Sequence, residues 1–193
     1  MSGHTPVCEL LGIEHPIVSA PMALDPRLPA AVSNAGGLGT IGLWWAEDAG
    51  AAVRETAALT DRPFGGNFAL TSDQHHRLDQ ALAAGLRIVS FIFGDPQPYV
   101  DQVHEAGGLV LHTVGSAAEA RRAVDSGVDV IVAQGWEAGG HVWSGVATLP
   151  LVPAVVDAVA PVPVIAAGGI GDARGVVAVL ALGAQAAWLG TRF

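Results

Sequence analysis

The segment Gln134–His141 holds the residues of this chain whose types and spacing are best suited to chemistry. The apolar run Val128–Ala133 leads directly into it, and buried strands that end in Gly-rich loops are where α/β enzymes place reactive groups. Gly139 and Gly140 allow the backbone to approach a ligand closely, because they have no Cβ. His141 then points an imidazole at whatever is bound. The pattern indicates a ligand site, and the alternative is a solvated loop with a chance histidine.

Two further Gly-rich turns predict a phosphate site. Gly168 and Gly169 follow the seventh apolar run, and Gly190 and Thr191 follow the eighth. The loops after strands seven and eight of (β/α)₈ barrels often bind phosphate, since backbone N–H groups without side-chain bulk can surround an anion. Thr191 adds a hydroxyl group. The alternative is that these glycines only close tight turns.

Three other side chains lie where predicted strands end. Met22 offers a soft apolar face to a planar ring, although a core methionine is the ordinary alternative. Asn67 and Gln134 could each form a hydrogen bond with the edge of a heterocycle, because their positions at strand ends point them toward the pocket. An amide buried there without a partner would cost stability. Trp136 and Trp143 flank the Gly-Gly-His loop, and they either wall a small pocket or pack beneath the loop.

The elements that must position these residues alternate regularly along the chain. Eight aliphatic or β-branched runs alternate with Ala-rich segments typical of helices, which argues for a parallel sheet. The runs are continuously apolar, as in strands that are buried on both faces. A count of eight favours an α/β fold of the (β/α)₈ TIM-barrel type, formed by residues 1–193 as a single domain. The predicted strands are Pro16–Ala20, Leu38–Gly42, Phe64–Phe68, Arg87–Phe93, Leu109–Thr113, Val128–Ala133, Val162–Ala167 and Ala186–Gly190. The predicted helices are Pro26–Ala35, Ala46–Leu59, Asp73–Ala84, Gln97–Ala106, Ser116–Ser126, Pro150–Val159 and Asp172–Leu182.

Local signals refine this pattern. Ser116 and Asp172 are predicted helix N-caps. The glycines of Gly37–Gly42 match G-x-G-x-x-G, but a predicted helix precedes them and they lie within a predicted strand. A dinucleotide fingerprint should instead follow a strand and open a helix. We therefore interpret these glycines as a place of close strand packing.

The sequence stops at Phe193, directly after the eighth predicted strand. A complete barrel usually needs about 250 residues, so the sequence predicts a barrel truncated after strand eight, without its last helix and a cover segment. We expect the flanks of strands eight and one to be exposed, and apolar surface there would favour a homodimer.

Composition excludes several functional classes. The formal net charge is −9 and no basic cluster exceeds Arg121–Arg122, which disfavours nucleic-acid binding. All nine basic residues are Arg, so Schiff-base aldolases and Walker-type P-loops are excluded, since both need a lysine. Cys8 is the sole cysteine, which rules out an intramolecular disulfide and predicts a reduced, cytoplasmic setting. No metal-ligand spacing, signal peptide or membrane-spanning run is found, so we expect no bound metal and no membrane association.

Several short motifs resemble nitronate monooxygenases, formerly called 2-nitropropane dioxygenases. The resemblance runs in order from about residue 8 to the last residue, and its combination of motifs is specific. The motifs are Ala20–Met22, Asn34–Gly39, Gly66–Phe68, Ala133–Gly135, Glu137–His141, Ala167–Ile170 and Leu189–Phe193.

This resemblance implies an FMN-dependent (β/α)₈ barrel that oxidises alkyl nitronates with O₂ to a carbonyl compound and nitrite. By position, His141 matches the active-site histidine of the family. The sequence departs from the family in lacking any continuation after Phe193, and Val142–Ser144 follows the histidine where a small or basic residue and a glycine often stand. The residues expected to contact FMN are Met22, Asn67, Gln134, Gly139, Gly168, Gly169, Gly190 and Thr191.

Two other functions remain open at this point. FMN-type enoyl-acyl-carrier-protein reductases, which use NAD(P)H, share the Gly-Gly-His loop, and no sequence feature separates them firmly from nitronate monooxygenases. A non-catalytic, truncated flavin-binding barrel is the second alternative, because an open barrel would bind FMN weakly. An IMP-dehydrogenase-like function is disfavoured, since no cysteine is found in a barrel loop.

Overall fold

Eight parallel strands form a nearly closed ring with helices packed around it, as the alternating pattern predicts. This computed structural model describes residues 4–22 and 24–193. The strands are β1 Ile17–Ser19, β2 Gly39–Gly42, β3 Phe64–Ala69, β4 Ile88–Ile92, β5 Leu109–Val114, β6 Val130–Gln134, β7 Val164–Ala167 and β8 Ala186–Leu189. The helices are α1 Pro6–Leu11, α2 Arg27–Asn34, α3 Ala49–Ala57, α4 His75–Ala83, α5 Gln97–Glu105, α6 Ala117–Asp125, α7 Thr148–Val159 and α8 Ala173–Ala181. The fold is a (β/α)₈ TIM barrel.

The first and last strands close the ring. The sheet runs in the order β1-β8-β7-β6-β5-β4-β3-β2, and β1 pairs with β8 in parallel register. The N–H of Ala20 donates to the carbonyl of Leu189 at 2.7 Å. Strands β1 and β2 meet through a bridge between Val18 and Leu38. Backbone hydrogen bonds therefore join strands one and eight, so the ring is not open between them as the truncated-barrel alternative supposes.

Helix α1 precedes the first strand and is absent from the helices that the sequence pattern predicts. Its side chains Val7, Cys8 and Leu11 are buried among the residues that fill the inside of the ring. The hydroxyl of Thr5 donates to the carbonyl of Gln185 at 2.7 Å, and the Gln185 amide oxygen accepts from the N–H of Val7 at 3.0 Å. The helix thus covers the amino-terminal end of the barrel, next to the beginning of β8.

Two apolar layers result from this arrangement. Side chains inside the ring include Val18, Leu38, Leu111 and Ile165, all fully buried. The larger cluster fills the space between the strands and the surrounding helices. Both faces of each strand are therefore buried, which explains why the strands are continuously apolar in sequence.

Three local predictions can be compared with the structure. The side chain of Ser116 accepts from the N–H of Glu119, and that of Asp172 accepts from the N–H of Arg174, so both are N-caps. Helix α3 begins three residues later than predicted, because Asp48 caps it by accepting from the N–H of Ala51.

Gly39 lies in β2 where helix α2 packs on the strand. A Cβ at Gly39 would lie 1.9 Å from the carbonyl oxygen of Pro29. The interpretation of this glycine as a place of close packing is confirmed.

Candidate active site

A cavity of about 710 Å³ opens at the carboxyl ends of the barrel strands. This volume lies in the usual range for sites that hold a cofactor or small ligand. Every strand, or the loop that follows it, contributes to the wall. The nine residues predicted from sequence all line this cavity: Met22, Asn67, Gln134, Gly139, His141, Gly168, Gly169, Gly190 and Thr191. The fold brings them together, and their individual roles stay predictions.

The imidazole of His141 is oriented by aromatic rings. Its centroid lies 6.2 Å from Trp44 and 5.9 Å from Phe93, with interplanar angles of 72° and 82°. Such edge-to-face contacts are favourable arrangements for aromatic pairs. Among the residues that the structure describes, none forms a hydrogen bond or ion pair with this imidazole. Its nitrogens are therefore available to a ligand in the cavity.

Gln134 braces the loop that carries His141. Its amide nitrogen donates to the carbonyl of His141 at 3.1 Å, and its amide oxygen accepts from the N–H of Trp143 at 2.9 Å. Both ends of the side chain are thus engaged by the loop. Gln134 lines the cavity, and its two hydrogen bonds hold residues 141–143 against the end of β6.

Asn67 at β3 keeps one polar group available. It is 3% exposed, and its amide nitrogen donates to the carbonyl oxygen and to the hydroxyl of Ser90 at 3.2 and 3.1 Å. Its amide oxygen has no hydrogen-bond partner within the described chain. A buried amide held in this way can accept one hydrogen bond from a ligand donor.

Met22 connects two loops of the cavity. Its thioether lies beside Gly140, because a Cβ at that glycine would be 3.6–3.8 Å from the terminal atoms of Met22. The side chain is 66% exposed, so it is not a core methionine. It presents an apolar surface to the cavity.

The turn after β7 allows a ligand in the cavity to approach the backbone closely. Gly168 and Gly169 have φ angles of +110° and +69°, a region that side-chain-bearing residues rarely adopt. Within the described residues, the N–H groups of Gly169, Ile170 and Thr191 have no hydrogen-bond acceptor. Arg192 also lines the cavity and supplies a positive charge. Unpaired amides next to a guanidinium form a suitable cradle for a phosphate group.

Glu137 and Thr148 complete this region, and neither is among the site residues predicted from sequence. The Glu137 carboxylate accepts from the N–H of Thr148 at 2.8 Å and lies 2.9 Å from its hydroxyl. Desolvation raises the pKa of Glu137, but these hydrogen bonds outweigh it and hold the pKa below its usual range. The Thr148 hydroxyl also lies 3.0 Å from the carbonyl oxygen of Gly168. Thr148 thereby joins the loops after β6 and β7.

The aromatic neighbours of His141 are also missed by reasoning from sequence. Trp44 and Phe93 are close to it only because β2 and β4 end at the same edge of the barrel. The position of each at or near the end of an apolar run is the signal that could have found them. Of the two tryptophans that flank the loop, Trp143 packs on Phe93 at 5.4 Å, whereas Trp136 is 63% exposed. Neither lines the cavity.

His112 lies within β5, as predicted, but faces away from this cavity. It is 7% exposed, and its Nδ1 has no hydrogen-bond partner in the described part of the chain. Burial lowers the pKa of His112 to about 4, and the charges of Glu119 and Asp95 offset only part of this effect. His112 is therefore neutral at pH 7.

Residues 4–22 and 24–193 contain neither a metal-binding cluster nor a membrane-spanning helix. No group of three or more His, Cys, Asp or Glu side chains converges there in a way that could hold a metal ion. No helix in these ranges is both long and apolar enough to cross a membrane.

Comparisons with known proteins agree on a family. The family model described as nitronate monooxygenase matches residues 4–76 and 69–193. A nitronate monooxygenase of Paraburkholderia phytofirmans is 38% identical, over 100% of this chain and 66% of its own length. An indene-carboxyl-CoA dehydrogenase of Mycobacterium tuberculosis is 41% identical, over 98% of this chain and 55% of its own length. This chain thus spans about half the length of the first curated relatives it matches.

Two solved structures are also similar to this chain. FabK from Thermotoga maritima superposes with a TM-score of 0.93 at 42% identity, over 98% of this chain and 62% of that chain. A nitroalkane oxidase from Streptomyces ansochromogenes superposes with a TM-score of 0.83 at 32% identity, over 96% of this chain and 67% of that chain.

Proposed function

Because this chain belongs to the nitronate monooxygenase family, we propose that it oxidises alkyl nitronates with O₂ to a carbonyl compound and nitrite, using FMN. One observation carries the proposal. A histidine with free ring nitrogens and a turn with unpaired amides line the same cavity. The first suits the anionic end of a nitronate and the second suits the phosphate of FMN.

The residues present fit FMN. The amides of Gly169, Ile170 and Thr191 and the guanidinium of Arg192 would hold the phosphate, because they offer donors and positive charge without competing acceptors. The apolar side chain of Met22 would lie against the planar ring. We propose Gly139, Gly168 and Gly190 as further contacts, where a side chain would narrow the cavity.

The amide groups at the strand ends would bind the polar edge of the ring. The Asn67 oxygen can accept one hydrogen bond, while Gln134 retains one N–H beyond the bond it makes to the loop. When bound, FMN supplies electron transfer and the reaction with O₂. The chain itself supplies orientation and charge.

We assign His141 to the substrate. As an N–H donor its imidazole would stabilise the negative charge on the nitro group of a nitronate. In its neutral form it could instead take the α-proton of a nitroalkane. Trp44 and Phe93 contact the ring in near-perpendicular arrangements, and no described residue forms a hydrogen bond with either ring nitrogen, so both are free for either role.

A second candidate is an FMN-dependent enoyl-thioester reductase that takes electrons from NAD(P)H. The carboxyl-CoA dehydrogenase among the similar proteins supports it, since that protein is named for hydrogen transfer on a CoA thioester and not for the incorporation of oxygen. The third possibility, a non-catalytic open barrel, is disfavoured by the pairing of β1 with β8, which closes the ring.

The visible absorption spectrum separates these possibilities. We would load the purified chain with FMN, remove the free flavin, and add propionate 3-nitronate without oxygen. Bleaching of the flavin band, followed by nitrite formation when O₂ is admitted, is the expected result. Bleaching by NADH alone, with turnover of a crotonyl thioester, would favour the reductase. A chain that retains no flavin would contradict both enzymatic functions.

Two further expectations accompany the proposal. The sole thiol, Cys8, is buried beneath the barrel, which suits a reducing, cytoplasmic setting. A homodimer stays a prediction, and light scattering coupled to gel filtration tests it directly. We propose the nitronate and O₂ as the small-molecule partners, with no nucleic acid involved.

A further inference from the structure

Phe93 has a backbone conformation that its side chain disfavours. It follows β4 with a φ of +63°, and no other non-glycine residue described here has a positive φ. A bulky side chain in the left-handed region is an outlier, because its Cβ crowds the neighbouring backbone. Strain of this kind persists only where the surrounding structure enforces it, and it is concentrated at functional sites.

The aromatic ring of Phe93 contacts the loop that holds the reactive histidine. Its centroid lies 5.9 Å from His141 at 82° and 5.4 Å from Trp143 at 65°. Phe93 does not line the cavity, whereas His141 and Trp44 do. The imidazole therefore contacts one ring that borders the cavity, Trp44, and one that does not, Phe93.

Trp143 gives Phe93 a fixed support. Its indole N–H donates to the Glu119 carboxylate at 2.8 Å, and its backbone N–H donates to the amide oxygen of Gln134 at 2.9 Å. The same Glu119 oxygen accepts from the N–H of Gly115 at 2.7 Å. The loop is thus attached to the ends of β5 and β6 on the side where Phe93 packs.

Ring contacts are the interactions that fix the direction of the imidazole, since no hydrogen bond to it is found among the described residues. Of its two aromatic neighbours, Phe93 alone has an unfavourable backbone. A glycine after β4 would avoid the crowding, but it would remove one of the two aromatic neighbours of His141.

We propose that Phe93 is a positioning residue that fixes the His141 imidazole from behind, and that its strained backbone is the consequence of this contact. The kinetic consequence rests on the function proposed above. The orientation of the ring does not depend on that function, because it is a property of the chain without substrate.

Three substitutions test the proposal. Phe93→Gly removes both the ring and the strain, Phe93→Leu removes the aromatic ring but keeps the crowded backbone, and Phe93→Tyr keeps the ring. Trp136→Leu is the control. Trp136 is an exposed aromatic residue of the same loop, and its ring has no contact with the His141 ring in the described structure.

The first readout is NMR of the His141 ring protons in the purified chain with FMN added and no substrate. We expect nuclear Overhauser effects between the rings of His141 and Phe93, and changed His141 shifts in the Gly and Leu variants. The Tyr variant and the Trp136→Leu control should retain wild-type shifts. Unchanged His141 shifts in both the Gly and Leu variants would overturn the proposal, whatever reaction the protein catalyses.

Stability and kinetics supply two further readouts. Phe93→Gly should melt at or above the temperature of Phe93→Leu, because glycine adopts a positive φ without crowding. A Gly variant that melts below the Leu variant would contradict the strain. With a nitronate as substrate, kcat should fall by roughly tenfold or more in the Gly and Leu variants, with KM little changed and recovery in Phe93→Tyr. A change in KM alone would contradict the assigned role.

Discussion

The Glu137 carboxylate accepts a hydrogen bond from the N–H of Thr148 and lies 2.9 Å from the Thr148 hydroxyl. The single proton of this hydroxyl is shared between the carboxylate and the carbonyl oxygen of Gly168, so one side chain at the start of α7 connects the loops after β6 and β7. The first loop carries His141 and the second carries the proposed phosphate cradle. Their relative position depends on this carboxylate.

Protonation of Glu137 should weaken this connection. The hydrogen bonds hold its pKa below the ordinary 4.5, so the folded chain favours the charged form more than the unfolded chain does. The resulting stability is present above pH 4.5 and is lost as the pH falls through the lowered pKa. The melting temperature of wild type should exceed that of Glu137→Gln at pH 7, and the difference between the two should vanish at low pH. Glu47→Gln, at an exposed carboxylate with no hydrogen bond in the described chain, is the control and should show no such convergence.

A side chain at Gly168 should impair cofactor binding. A Cβ there would lie 2.7 Å from the Thr148 hydroxyl, and the φ of +110° is unfavourable for alanine. We expect Gly168→Ala to weaken FMN affinity by about tenfold or more, since roughly 1–3 kcal/mol of strain would be placed in the turn. Fluorescence titration of FMN measures this.

Gly145→Ala is the matched control for that titration. Gly145 lies in the loop after β6, a Cβ at this position would have no atom within 4 Å, and its φ is not positive. The FMN affinity of this variant should equal that of wild type. Equal affinities for Gly168→Ala and wild type would show that the turn after β7 does not contact the cofactor.

Replacement of His141 should separate binding from turnover. The imidazole makes no hydrogen bond within the described chain, so His141→Asn removes no internal partner and should leave FMN affinity and melting temperature near wild type. Turnover of a nitronate should fall at least roughly tenfold, because a positioned donor or base is lost. Stopped-flow measurement of flavin bleaching reports this step. Turnover equal to wild type would remove His141 from the reaction.

Buried His112 should make the fold sensitive to mild acid. Its pKa is about 4 in the folded chain against 6.5 ordinarily, so the unfolded chain binds the proton more readily. Stability is therefore full above pH 6.5 and falls as the pH drops from 6.5 toward 4. Linkage sets an upper bound on the order of 3 kcal/mol. Urea unfolding at pH 7 and pH 5 should show a smaller loss for His112→Gln than for wild type.

The comparison needs an exposed histidine as control. His76 lies on the outer face of α4 and is exposed. His76→Gln should lose as much stability between pH 7 and pH 5 as wild type does. If His112→Gln and wild type lost the same amount, protonation of His112 would not contribute to acid unfolding.

The order of elements was determined by local sequence. Continuous apolar runs between Ala-rich segments specify strands buried on both faces, and the caps Ser116 and Asp172 lie where their side-chain chemistry predicts. The site residues at the strand ends could be predicted from the sequence for a related reason. Parallel strands of a barrel all end at one edge, so a residue placed after one strand is necessarily near those placed after the others.

The tertiary structure decided what depends on distant pairs. Helix α1 has only six residues, too short for a periodic signal, and it is stabilised by contacts with Gln185 near the other end of the chain. The pairing of β1 with β8 closes the ring through backbone hydrogen bonds. Backbone groups are the same in every sequence, so no residue type predicts this pairing. The contact of Phe93 with His141 joins two loops that are far apart along the chain, and no local pattern encodes it. Sequence by itself determined which residues reach the active edge, whereas only the closed barrel determined which of them touch.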